Sequence, residues 1–456
     1  MTGNVFEFVN PAAPEQPGQL PNIPTDFWEA REELRHIRQA AHSRLRSADL
    51  VLHATLARIS AMVDPGLELD TGLGPGSLNY FAAAVAPSGV GKSTGARAAR
   101  SLVDVPGYLD QPAEDGKPAF LDGIAIGSGE GLAESFYGTV WREIPGAIDK
   151  QGNPRTEKVR TQVRKHAFVS VDEGEVFTKL AERSGSTLAT TIRSAWPGET
   201  LGQANASEER TRIVKAGSYS LGLLVGYQPS TAAPLLADSD TGTTQRFAWV
   251  AGTDRNGPTE RIPTPGPLNL RLTDEYGAPL TGTISAAVEI QEELFRRQVR
   301  LNRGEEIPDP LNSHESFMRS KMAALLTLLS GRTHIGLGDW ELAGILWDTS
   351  CAVRDSLIEM AKEKKREMQR VADDAAVELA ARKADVTSPE AVQVRLQRVA
   401  KVLVNSLKNA GGEMTRSKAK HALASRDRFM FDVAVEFAEA KGYVTATEYG
   451  IRLRVA

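Results

Sequence analysis

Leu78-Asn-Tyr-Phe-Ala-Ala-Ala-Val-Ala-Pro-Ser-Gly-Val-Gly-Lys-Ser-Thr94 is the stretch that decides the fold. Its first half is short and apolar, with Gly74, Pro75 and Gly76 before it. Such a run predicts a strand buried on both faces, as in a parallel sheet. Its second half fits the phosphate-loop pattern G-x-x-x-x-G-K-[ST] everywhere but the first position, where Ala86 replaces Gly. The loop runs Ala86, Pro87, Ser88, Gly89, Val90, Gly91, Lys92, Ser93, Thr94. Small residues let backbone N–H groups curl round a phosphate, and the positive end of the next helix adds to the pull. Lys92 suits the β- and γ-phosphates, and the Ser93 hydroxyl suits Mg²⁺. A chance Gly-rich turn is the bland alternative. The strand before and the Ala- and Arg-rich helix after, Thr94 to Leu102, favour a nucleotide site with ATP and Mg²⁺ as cofactors.

Downstream, strands and helices alternate, the signature of a doubly wound α/β domain. Pro118 to Ile126 predicts a second strand, ending in Gly127-Ser-Gly-Glu-Gly131, with a helix at Leu132 to Tyr137. Asp149 to Arg155 predicts a hairpin tip. His166 to Val171 predicts a third strand closed by Asp172-Glu173, eighty residues after Lys92. A carboxylate pair there is the expected partner of a phosphate loop: Asp172 for Mg²⁺, Glu173 to polarise the attacking water. The alternative is a solvated strand end. Glu130, in its Gly-rich turn, is a rival for the base, because some ATPases of this kind place the activating carboxylate after the second strand. Thr187 to Trp196 predicts a helix, and the polar stretch Gln203 to Lys215 predicts either a channel loop of a ring or an ordinary exposed loop. Ser218 to Val225 predicts a fourth strand. Gln228 beyond it is a candidate γ-phosphate sensor or a plain strand-end amide. Thr241 to Val250 predicts a loop and fifth strand. Arg246 within it is a candidate arginine finger for a neighbouring subunit, or a surface arginine in an ion pair.

The flanks divide the rest. Pro11, Pro14, Pro17, Pro21 and Pro24 predict an extended arm over residues 1–25. Asp26 and Glu29 resemble a capping box, and apolar positions at helical spacing predict a helix from Phe27 toward Met62. Its arginines suit a solvated face better than a nucleic-acid or subunit contact. Residues 26–70 form this helical segment, 71–270 the core, 271–383 a helical region and 384–456 a separate module. Asp339 is expected as an N-cap, with Trp340, Ala343, Leu346 and Trp347 on one packed face. Beyond it, Met360 to Lys383 predicts a long charged helix. In the last module three helices precede two alternating strands, which predicts a winged helix-turn-helix. Arg416, Lys418, Lys420, Arg426 and Arg428 fall near its second and third helices. DNA and protein both remain open as its partner.

Composition fits an ordinary globular chain: 456 residues, 41% hydrophobic, 25% charged, net charge -4. From Arg382 onward 14 Lys and Arg face 8 Asp and Glu, so the basic excess sits at the C-terminal end. The single Cys351 excludes an internal disulfide and suits a reducing cytoplasm. No signal peptide, membrane-spanning run or zinc-ligand spacing is read.

Ala-Pro-Ser-Gly-Val-Gly-Lys-Ser at 86–93, Gly-Ser-Gly-Glu-Gly-Leu at 127–132, Val-Ser-Val-Asp-Glu at 169–173, Gly-Tyr-Gln-Pro at 226–229 and Gln-Arg-Phe at 245–247 together resemble a P-loop ATPase family of phages and integrating elements. Its members are often described as primase-associated or replicative helicases, many from actinobacterial hosts. The resemblance covers roughly residues 26–380. It implies a RecA- or AAA+-like P-loop core, with Lys92, Ser93 and Asp172 as nucleotide and Mg²⁺ residues and Gln228 and Arg246 as sensor and finger. It also implies a ring, DNA as partner and a separate primase, since no primase motif stands in this chain. The expected function is an ATP-driven DNA motor of a mobile element. Rivals are an ATPase switch such as a helicase loader, replication initiator or transposition regulator, a small-molecule kinase, and a binding module without hydrolysis.

Overall fold

A computed structural model describes residues 19–203, 212–237, 242–307 and 309–454. The chain forms two compact units, Met1–Lys362 and Glu363–Ala456.

The first unit is built on five parallel strands: β1 (Tyr80–Val85), β2 (Phe120–Ile124), β3 (His166–Val171), β4 (Ser220–Tyr227) and β5 (Ala248–Ala251). Their order across the sheet is β5-β1-β4-β3-β2. All six residues of β1 and all eight of β4 are buried, as continuous apolar runs in the middle of a parallel sheet require. Helix α1 (Ala48–Met62) is buried along its whole length, and α2 (Lys92–Leu102) buries Gly95, Ala98, Ala99 and Leu102. A Cβ on Gly95 would meet the Leu50 side chain, so small residues on α2 let it close on α1.

The helix expected from Phe27 to Met62 is three helices: Thr25–Glu29, Glu32–His42 and α1. The first break falls at Ala30–Arg31, where Arg31 is extended, and the second at Leu45, the one non-glycine residue with positive φ (51°) among those described. Ser47 then caps α1 by accepting from the Leu50 N–H. The expected capping box at Asp26 is absent, because Pro24 occupies the N-cap and offers no side-chain acceptor. Of the expected arm, residues 1–18 lie outside the described residues. Leu20 and Ile23 are buried, and the Asn22 amide donates to Asp49 and to the Thr253 carbonyl.

Residues from the expected helical region join the same unit. Strand Gly282–Ala286 pairs in parallel with Leu67–Asp70, on the N-terminal side of the phosphate loop. Helix Leu337–Thr387 carries Trp340, Ala343, Leu346 and Trp347 on a buried face. Asp339 lies in its first turn rather than at its cap. There it accepts from the Gly336 N–H and pairs with Arg31 and Arg332. Pairing with these guanidinium groups holds its carboxyl below the usual carboxylate range against the cost of burial.

The second unit has its own core of Val399, Leu403, Leu407, Phe431, Val435, Val444 and Ile451. Helix Pro389–Asn409 leads to strand Glu413–Thr415 and a short helix Arg416–His421. A 3-10 turn, Ser425–Met430, then precedes helix Phe431–Ala440. Strands Val444–Ala446 and Gly450–Leu453 complete an antiparallel sheet in which Gly450–Leu453 is central. The strand Glu413–Thr415 is one the sequence reading did not anticipate.

Candidate active site

The register of the sheet brings the carboxyl ends of three strands into line. Val85 of β1 lies opposite Tyr227 of β4, and Val225 of β4 lies opposite Val171 of β3. The phosphate loop, Gln228 and Asp172 therefore emerge side by side. One strand separates β1 from β3, so the loop and the carboxylates stand about two strand spacings apart, roughly 10 Å. Open parallel sheets place ligands in such a crevice beyond the strand ends.

The loop is shaped by its glycines. Gly89 and Gly91 have φ of 81° and 96°, a left-handed region that costs other residues energy. Ala86 anchors the loop's start by donating its N–H to the Tyr227 carbonyl at 3.0 Å. Arg46, from the turn before α1, braces the far side: its guanidinium donates to the Val90 carbonyl at 3.3 Å and sits 2.5 Å from where a Gly91 Cβ would be.

Inside the loop the Lys92 ammonium donates to the Ala86 carbonyl at 2.8 Å and the Pro87 carbonyl at 3.2 Å. Burial holds it below the ordinary lysine range, opposed by the negative charge of Asp172. Ser93 is exposed at the start of α2, while Thr94 accepts from Arg97 within that helix.

A cleft of about 540 Å³ opens here, lined by Ser88, Gly91, Lys92, Ser93, Asp172, Glu173 and Gln228 among others. Nucleotide-sized ligands occupy pockets of about 300–1,000 Å³. Asp172 and Glu173 are exposed, and neither enters an ion pair among the described residues. Glu173 sits at the N-cap of helix Gly174–Glu182. At Gly226 the backbone also approaches closely. A Cβ there would stand 2.9 Å from the Asp172 carbonyl oxygen and 3.4 Å from Lys92 Cδ. The absence of a side chain keeps open the floor between lysine and carboxylate.

These residues fit a magnesium nucleotide. Mg²⁺ keeps waters and takes one or two protein carboxylates plus substrate phosphates, so it needs no dense ligand cage. Asp172 and Ser93 can supply the protein ligands. Among the described residues no group of three or more His, Cys, Asp or Glu is placed to hold a metal by itself.

Glu130 and Arg246 are not among the residues that line this cleft, and the sequence reading places Arg246 at a neighbouring subunit's site rather than here. Glu130 lies in the first turn of helix Gly129–Ser135. Its own backbone N–H, then the nearby Thr187 and Ser128 hydroxyls, hold its carboxyl below the usual range. Arg246 turns inward: it donates to the Gly242 carbonyl and lies over the Trp196 ring, 5.8 Å from its centroid. Burial, then the neighbouring Arg193, bring its guanidinium down to about 10. Much of the expected channel loop, residues 204–211, lies outside the described residues, as does Thr241. Of the described part, Leu201–Gln203 and Arg212–Val214 pair as a two-stranded antiparallel ladder. The expected tip at Asp149 to Arg155 closes a longer hairpin, Tyr137–Ile148 with Pro154–Gln162.

Gly174, Glu175, Gly226 and Thr231 also line the cleft, and the sequence assigns none of them a role. Thr231 is placed by accepting from the Gln228 N–H at 3.1 Å, and Glu175 pairs with Lys179 one turn on. Gly226 falls in the Gly-Tyr-Gln-Pro motif, which gives it no role, and lies near the end of β4; the others lie at the starts of the helices that follow β3 and β4.

No family model matches this chain, and no curated protein matches it in sequence. Among solved structures it is similar to a full-length MCM homolog from Methanopyrus kandleri, at 14% identity and a TM-score of 0.34. The match covers 74% of this chain and 61% of that one, so the chain spans under two thirds of that protein's length. A likeness this distant carries neither fold nor function across. Among the described residues no helix is long and apolar enough to cross a membrane.

Proposed function

We propose that this chain is an ATP-hydrolysing DNA motor with a P-loop core of the RecA or AAA+ kind. The observation that carries the reading is one cleft at the strand ends of β1, β3 and β4 that gathers Lys92, Ser93, Asp172, Glu173 and Gln228.

Lys92 and the N–H groups of residues 88–93 bind and orient the phosphates, and Lys92 exchanges its loop carbonyls for phosphate oxygens. Asp172 and Ser93 hold Mg²⁺, which when bound supplies charge neutralisation at the phosphate oxygens. Glu173, exposed and unpaired at the cleft wall, orients the attacking water and takes its proton. Glu130 is the weaker base, because it sits outside the lining and its hydrogen bonds stabilise the ionised form elsewhere. Gln228 senses the γ-phosphate from the end of β4 and passes its state to the helix that begins at Pro229.

The motor reading adds a homo-oligomeric ring and a mobile-element setting, both resting on the motif resemblance alone. In such a ring Arg246 is the finger only if it leaves Gly242 and Trp196. A separate primase would supply priming. The second unit is read as a winged helix that binds DNA, from its basic excess and its helix-strand order.

The test is ATP turnover by the purified chain with and without single-stranded or forked DNA, joined to strand displacement on the fork. DNA-stimulated turnover with displacement supports the motor. Turnover without displacement leaves an ATPase switch, and no turnover removes the enzyme reading.

A further inference from the structure

The two short helices of the second unit differ in charge. Call them α3 (Arg416–His421) and α4 (Phe431–Ala440). In helix-turn-helix folds the later helix enters the major groove. Here α4 contains no Lys or Arg; its outer positions are Asp432, Val433 and Glu436, all exposed. Carboxylates on that face would meet phosphates of the same sign. Helix α3 is the reverse. Its six residues hold Arg416, Lys418 and Lys420 and no acid, and Lys418 and Lys420 are exposed.

The surroundings extend this contrast. Arg416 is committed to Asp432 at 2.6 Å, and Arg395 and Arg398 to Asp427. Lys418, Lys420 and Arg426 are exposed and enter no ion pair among the described residues; the Lys420 ammonium lies over the Phe431 ring, 5.9 Å from its centroid, which leaves its charge open to an anion. Arg428 ties the 425–430 turn to the end of α3 through the His421 and Leu423 carbonyls. The Arg416 N–H reaches the Tyr449 carbonyl at 3.4 Å, which sets the strand-turn tip beside the start of α3. Tyr449 is 81% exposed there, an unburied aromatic next to a basic helix.

We propose that the second unit grips the nucleic-acid backbone through α3 and the turn after it, with Lys418, Lys420 and Arg426 as the phosphate contacts, and that α4 stays out of the major groove. This rests on the DNA-binding reading above and names the surface and mode. Phosphate contacts carry no sequence information, so binding by this unit is indifferent to sequence.

The test uses the full-length chain and duplex DNA of two unrelated sequences, with isotherms at several salt concentrations. Lys418→Glu/Lys420→Glu/Arg426→Glu should weaken binding at least ~10-fold and make the log-log salt slope shallower by about 2 to 3, near 0.9 per lost contact. The triple Gln variant should do the same to a smaller degree, and guards against misfolding by charge reversal. Val433→Ala/Glu436→Gln should bind within ~2-fold of the unmodified chain, and the two duplexes within ~3-fold of each other. Loss of affinity in the α4 variant, or strong sequence preference, overturns the proposal in favour of a groove-reading helix. An unmodified chain that binds while the α3 variants bind equally well overturns the surface alone. An unmodified chain that binds no DNA overturns the DNA reading with it.

Discussion

Lys92 and Lys321 are both lysines whose charge is penalised by burial, and both donate to backbone carbonyls. Lys321 is wholly enclosed. Its ammonium donates to the Trp196 carbonyl at 2.6 Å, the Asn79 carbonyl at 2.8 Å and the Ser77 hydroxyl at 3.3 Å. The Phe317 and Trp196 rings cover it at 4.3 and 4.5 Å. All three donors are used, and no ligand could reach them. Lys92 uses two donors on loop carbonyls and borders an open cleft with Asp172 across it. The two thus differ not only in depth of burial but in whether their partners can be exchanged.

The largest effect should come from Lys92→Ala. ATP turnover should fall on the order of 10²–10³-fold, the usual loss when one preorganised donor to developing charge is removed. The thermal midpoint should barely move, because the loop stays formed. Turnover equal to that of the unmodified chain would remove Lys92 from the chemistry.

Next, Glu173→Gln should bind ATP and hydrolyse it about 10²-fold slower, within the range a general base contributes. Glu130→Gln should cost little, since Glu130 stands outside the cleft lining. Single-turnover rates on both variants decide the matter, and the reversed pattern would move the base to Glu130.

Lys321→Ala should act on stability rather than turnover. It leaves a cavity and strips the Trp196 and Asn79 carbonyls of their donor, which together cost about 2–4 kcal/mol. Lys321→Met should recover part of that by refilling the volume. Denaturant titration reads it, and an unaltered midpoint in both variants would erase the contrast with Lys92.

The smallest effect is one of pH. Burial, with Arg246 and then Lys321 nearby, pushes His314 from 6.5 down to about 4. Below pH 6.5 the unfolded chain then binds more protons at this position than the folded one. Its contribution is complete above pH 6.5 and is lost as pH falls toward 4, no faster than one proton's worth, about 1.4 kcal/mol per pH unit. His314→Gln should flatten that part of the stability profile; an unchanged slope would show His314 titrating normally.

What could be read beforehand follows how locally each feature is encoded. The phosphate loop is one contiguous pattern whose glycines, lysine and serine must neighbour each other in the chain, and β3 with its acidic pair is another. Both were legible, and the register of β4 between β1 and β3 then set them facing each other. The single long helix expected from Phe27 is instead three, because periodic apolar residues continue past the extended Arg31 and past a turn that only Leu45 and Ser47 mark. Strand Glu413–Thr415 escaped because three residues carry too little pattern and gain their identity from pairing with Gly450–Leu453.

Sequence alone determined the phosphate-loop pattern, the parallel α/β core and the basic tail, because spacing and composition are local quantities. Tertiary structure alone decided which residues share the cleft. Gly226, Glu175 and Thr231 come in, and Glu130 lies outside. It also decided which cations are spent, so that Lys321 and Arg246 are packed against Trp196 while Lys92 remains exchangeable. The reason is physical: a side chain's chemistry depends on the partners that packing leaves it, and those come from strands and helices far away in the chain.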